Sequence, residues 1–189
     1  MSKLRRTVMA LGLLFTTVAS AGATRDQQRD ALIFVADLRG VLVAPGKVDS
    51  SAAAKATGVL VGTKFTVHGS FSGLSSPLRD IEKKPEDPGI HLHRGAPGET
   101  TPYFHGLQVR LNADGRSGIF FGTATLDAAI VEQLLAARTY VDIHTVKFGP
   151  GEVRDQWRPV DPGAAAVRLA HVIGEHAART TGLTGASCH

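Results

Sequence analysis

The chain has a single cysteine, Cys188, next to its last residue. With no second cysteine, an intrachain disulfide is excluded, so stability has to come from an ordinary hydrophobic core. Long apolar runs are scarce as well. The run from Val8 to Val18 falls short of the about 20 residues that span a bilayer, and no later segment reaches that length. Two catalytic signatures are missing: there is no Gly-x-Ser-x-Gly elbow, and no strand leads through Gly-x-Gly-x-x-Gly into a helix. Thr180 to His189 is expected to be disordered, which leaves Cys188 without a built site.

A surplus of charge is missing too, once the amino terminus is set aside. Lys3, Arg5 and Arg6, then the apolar run, then small residues make the three parts of an export signal over Met1 to Ala23. Two cleavage frames fit, Ala19-Ser20-Ala21 and Ala21-Gly22-Ala23. Cleavage takes three of the 21 Lys plus Arg and none of the 17 Asp plus Glu, leaving a net charge of +1. Nucleic-acid binding would want a clustered basic stripe instead. The expectation is a secreted or periplasmic protein whose mature chain has no transmembrane segment and whose partner is a protein or small ligand. Roughly 165 residues remain, enough for one domain.

What is present is mostly strand pattern. Leu32, Phe34 and Leu38 fall on one face with Asp37 and Arg39 on the other. Val59, Val61, Phe65, Val67 and Phe71 alternate with Lys64, Thr66, His68 and Ser70, which predicts one long or broken strand, half buried. Pro45-Gly46 and the run Ser50 to Ala54 read as turn material between them. Leu78 to Gly89, charged and carrying Pro85 and Pro88, reads as a solvated loop. Strands follow at Ile90 to His93, Leu107 to Leu111, Gly118 to Thr125, Tyr140 to Thr145 and Val153 to Trp157. Asn112 to Gly115 makes a hairpin connection, and Gly149-Pro150-Gly151 a turn.

Asp127 to Arg138 switches to helical spacing, with Ile130, Val131, Leu134, Leu135 and Ala137 as its stripe and Thr125 or Asp127 as cap. Beyond Pro162 an Ala-rich helix over Ala164 to Arg179 is expected to dock through Val167, Ala170, Ile173 and Ala177. The fold class is therefore mainly β: an antiparallel, Greek-key-like β-sandwich or flattened barrel with one inserted helix and a C-terminal helical tail. Its core is expected to hold Phe34, Leu38, Val59, Val61, Phe65, Val67, Val141 and Ile143. The domain runs over 30–159 and the tail over 160–189.

Three histidines stand out. His91 and His93 are two apart in a strand whose Ile90 and Leu92 take the other face, so both imidazoles project one way, about 6.6 Å apart along the strand. Val141 and Ile143 likewise put His144 outward with Tyr140 and Asp142. On outer faces of the sheet the three rings can converge on one zinc or copper ion, both of which accept neutral imidazole. Asp142 or Tyr140 would then orient a ligand ring. Alternatively these are polar surface positions. Glu152 and Arg154 beside Gln156 read as an exposed strand face or a structural hydrogen-bonding set.

The segments His91-Leu92-His93-Arg94-Gly95, Tyr140-Val141-Asp142-Ile143-His144-Thr145 and Gly151-Glu152-Val153-Arg154-Asp155-Gln156 resemble, in order and spacing, the hallmark motifs of the CHRD domain, named for chordin. Leu38-Arg39-Gly40 and Phe71-Ser72-Gly73-Leu74 extend the likeness over roughly Asp30 to Pro159. It implies an extracellular or periplasmic β domain, with growth-factor binding in the animal members. Asp155 stands where the family usually has glycine, and Thr100-Thr101-Pro102 where an Asn-Gly-Pro-like turn is typical. More distantly, the His-x-His strand and Val-Asp-Ile-His are similar to the copper-ligand strands of copper/zinc superoxide dismutases. That second likeness implies His91, His93 and His144 as copper ligands and Arg154 as an anion-attracting residue. The leading reading is a non-enzymatic exported binding domain that takes a transition metal, and its alternative a copper-dependent redox enzyme.

Overall fold

A computed structural model describes residues 31–79 and 89–180. Ten antiparallel strands form one nearly closed, barrel-like sheet, with one inserted helix and one C-terminal helix. β1 (Leu32–Arg39) buries Leu32, Phe34, Ala36 and Leu38, as its alternation predicts.

The next stretch is a hairpin and not one strand. β2 (Ala53–Val61) turns through Gly62 and Thr63 into β3 (Lys64–Ser72), with Val61 opposite Lys64. Gly62 takes a positive φ of 64°, which the tight turn requires. That register sets even-numbered residues of β2 beside odd-numbered residues of β3, so the inward set changes parity at the turn. Ala54, Ala56 and Leu60 face the core with Phe65, Val67 and Phe71. Val59 is only half-buried and Val61 is 48% exposed, so neither belongs to the core as the unbroken alternation suggested. The strand also begins earlier than the small side chains implied, at Ala53. Leu60→Ala is expected to cost about 2–5 kcal/mol in chemical denaturation, and Val61→Ala at most about 0.5. Equal losses would refute this register.

β4 (Ile90–Arg94), β5 (Tyr103–Gly106), β6 (Gln108–Leu111) and β7 (Gly118–Thr125) follow. Then come α1 (Ala128–Leu135), β8 (Thr139–Ile143), β9 (Val153–Gln156), β10 (Arg158–Pro159) and α2 (Pro162–Thr180). The order across the sheet is β5-β4-β8-β9-β1-β2-β3-β7-β6, with β10 added beside β1. Its two end strands are consecutive in the chain. Only Leu107 separates them, fully buried, its N–H donating to the Ile90 carbonyl at 2.9 Å, so one bent segment joins both ends of the sheet. The sequence pattern showed the second half of that segment; β5, with no clean alternation, escaped it.

In α1 the Asp127 side chain caps by accepting from the Ile130 N–H at 2.8 Å. Ile130, Val131, Leu134 and Leu135 are buried. Ala137, expected in that stripe, lies past the helix end with a left-handed φ of 55°. α2 docks through buried Ala165 and half-buried Leu169, which are one turn apart, whereas Val167, Ala170 and Ile173 are exposed. The Ala177 side chain, Met1 to Ala23, most of the charged loop before β4, and residues 181–189 lie outside the described residues. Among the described residues no helix is long and apolar enough to cross a membrane.

Candidate metal centre

β4 and β8 pair side by side, with Ile90 opposite Ile143, His91 opposite Asp142, Leu92 opposite Val141 and His93 opposite Tyr140. Pleating sends Ile90, Leu92, Val141 and Ile143 into the core and the polar partners to the other face. His144 follows directly, its N–H donating to the Gly89 carbonyl. The alternation therefore places all three histidines on one side, as expected. Their surroundings differ from the expectation. His91, His93 and His144 are 1, 6 and 7% exposed, because the segment before β5 and the loop before β9 fold over them.

Those two coverings fix the rings. The Thr101 carbonyl lies 2.8 Å from His93 Nδ1 and the Gly149 carbonyl 2.7 Å from His144 Nδ1. A carbonyl only accepts, so each Nδ1 carries its hydrogen and each neutral ring turns an Nε2 lone pair inward. Both lone pairs meet the same atom: Asp142 Oδ1 is 3.1 Å from His93 Nε2 and 3.0 Å from His144 Nε2, and 3.9 Å from His91 Nδ1. One ligand atom from each of the four residues falls within 4.8 Å of all the others. A tetrahedral ion with bonds of about 2.0–2.1 Å sets its ligands about 3.3 Å apart. The three Asp142 distances bracket that value.

Asp142 Oδ1 is the atom on which these contacts converge. Though burial opposes its charge, hydrogen bonds and attraction from His144 and His93 hold its carboxyl well below the usual carboxylate range. Burial likewise works against a charged His144, yet Asp142 and the Gly149 carbonyl raise its pKa above the ordinary value. Two tyrosines complete the walls. Tyr140, buried, stacks on His93 with centroids 4.5 Å apart and planes at 7°, while its hydroxyl accepts from the Thr101 N–H at 3.3 Å. Tyr103, 43% exposed, stacks on His91 at 4.4 Å and 14°.

Arg154 sits on the far side of Tyr140, its guanidinium 3.4 Å from the ring centroid, so the tyrosine stands between it and the histidines. It is buried, and so is Glu152, which overturns the exposed-face alternative and leaves the structural hydrogen-bonding set. Glu152 Oε1 accepts from Ser50 Oγ and the Ser75 N–H, and Oε2 from Thr145 Oγ1. That carboxylate ties down the loop that presents the Gly149 carbonyl, which also accepts from Arg79 Nη1 at 2.6 Å. At the loop's end Gly151 has a φ of 127°, which an L side chain rarely adopts. The sequence reading missed Thr101 and Gly149, whose contribution is a backbone carbonyl that any residue carries.

No curated protein and no solved structure matches the chain. The likeness to copper/zinc superoxide dismutase is not borne out. A family model described as the CHRD domain matches residues 34–157, well over half of the 189, and takes in most of β1, all of β2 through β9 and every residue of the site; the chain belongs to the CHRD domain family.

Proposed function

We propose that this is an exported CHRD-type binding domain that takes up a transition metal, zinc or copper, on His91, His93, Asp142 and His144, with Tyr140 and the Thr101 and Gly149 carbonyls holding the rings. One observation carries the reading. Two imidazoles whose Nδ1 hydrogens are already donated turn Nε2 toward a single buried carboxylate oxygen. Between neutral rings that leaves acceptors facing an acceptor, at a cost the buried site cannot relieve with water. Protons on the rings, or a divalent cation among them, remove the conflict. Imidazole nitrogen with carboxylate oxygen is a donor set that both zinc and copper accept.

In this reading the domain runs over 30–159, between a signal over Met1 to Ala23 and a partly helical tail over 160–189, and the signal together with the extracellular type of the family supports export. The test is metal analysis of the purified protein and calorimetric titration of the metal-free form with zinc and with copper(II). Saturation at one ion per chain supports the reading. Absence of either ion after purification, together with no uptake on titration, leaves a proton-bridged histidine–aspartate cluster in its place.

Tyr103 is the exposed ring over an otherwise closed site. Tyr103→Ala is expected to speed removal of the ion by a chelator while changing equilibrium affinity less than about ten-fold. Unchanged stripping kinetics would mean that the ion leaves by another route.

A further inference from the structure

On the opposite side of the Tyr140 ring from the histidines lies a groove of about 320 Å³ that the metal reading does not use. Its walls are apolar, from Val41, Leu42, Val43 and Pro45 on one side to Pro97 on the other. Val41 and Leu42 are exposed there, at 61 and 45%. Its charged lining residues are Lys47, Arg154 and Asp155.

Arg154 is the unusual member. Only 4% exposed, it donates from Nη1 to the Glu99 carbonyl at 2.7 Å and from Nη2 to Gln156 Oε1 at 3.4 Å, and it covers Tyr140. All three contacts are to neutral groups, and among the described residues no carboxylate forms an ion pair with it. The nearby Asp155 is already committed: its two oxygens accept from Arg158 Nη1 and Nη2 and from the N–H groups of Asp37 and Gln156. Burial holds the Arg154 pKa below its ordinary value, although attraction from Tyr140, Asp142 and Glu99 works the other way. A guanidinium this deep without a direct carboxylate partner is costly, and each of its Nη groups keeps one further N–H that can donate to a carboxylate.

We infer that this groove binds a small amphipathic carboxylate, its acid on Arg154 with Lys47 at the rim and its hydrocarbon part along Val41, Leu42 and Pro97. The volume is at the small end for ligand pockets, which fits a short-chain acid better than a bulky cofactor. Nothing in this assignment requires a metal.

Calorimetric titration of the full chain with hexanoate and with 1-hexanol tests it. Hexanoate is expected to bind at least about ten-fold more tightly than the alcohol, the worth of one charge-assisted contact. Arg154→Gln should abolish that preference. Because this change also strips Tyr140 of its cover, Leu42→Glu provides the second variant: it adds a carboxylate to an exposed wall, and should weaken hexanoate about ten-fold with metal content unchanged. Equal binding of acid and alcohol, no saturable binding up to about 10 mM, or an unaffected Leu42→Glu variant would each overturn the inference. Metal uptake is read separately on the same samples, so failure of one site is not confused with failure of the other.

Discussion

A His91→Ala, His93→Ala double variant is expected to lose more than about 100-fold in affinity for zinc and copper, beyond what loss of a merely orienting partner costs. Two of four candidate donors disappear, and the remaining Asp142 and His144 leave an ion short of the four ligands that a closed site supplies. Both histidines are buried, so the double variant leaves a cavity beneath Tyr103 and Tyr140, and its folding has to be checked by cooperative unfolding. Asp142→Asn provides the conservative partner experiment. It keeps volume and removes the charge at the atom where the rings converge, without touching either aromatic stack. If Asp142 is a ligand, its loss exceeds about 100-fold; if it only orients the rings, it falls in the range of about 10–100-fold. Parent-like affinity in both variants would remove the site altogether.

How the residues of this site announced themselves explains what a sequence discloses here. His91 and His93 were legible because strand period is two and their neighbours Ile90 and Leu92 are apolar. The same rule placed His144 and Asp142. It could not reveal burial, since an outward-facing position is exposed only if nothing folds over it. The two coverings are an irregular segment and a turn, 95–102 and 145–151, with no periodicity of their own. Burial there comes from tertiary closure, through Glu152 gathering Ser50, Ser75 and Thr145.

The core was misread for a different reason. Val59 and Val61 continue the apolar alternation of Phe65, Val67 and Phe71 in number, so a single phase fits all five. The Gly62-Thr63 turn carries no strong composition signal beyond one glycine, yet it exchanges the two faces. Leu60, between two valines, is the residue that a hairpin reading would have chosen. The two ends of the barrel were hidden similarly, because Leu107 belongs to neither strand and fills the corner where the sheet closes.

The stabilisation given by a bound ion and that given by the metal-free cluster are expected to depend on pH in opposite senses, and this separates an ion-binding site from a proton-bridged one. In the metal-free protein His144 has a raised pKa, so its contribution is fully present below the unfolded value of about 6.5 and is lost as pH rises through the folded value. Asp142 has a lowered pKa, so its contribution is present above about 4 and is lost only as pH falls through its folded value. The metal-free cluster is therefore most stabilising in mildly acid solution, between those limits. An ion requires the rings neutral and must displace the protons, so its stabilisation grows as pH rises through the same histidine range. At pH 8, with zinc or copper at about 100 times its Kd, the gain is about 2.7 kcal/mol, which for a chain of this size raises Tm by about 5–10 °C. At pH 5 the shift should nearly vanish. Thermal melts with and without the ion at the two pH values read the difference directly. A shift that is the same at both, or larger in acid, would show that the ion binds somewhere other than the histidine cluster.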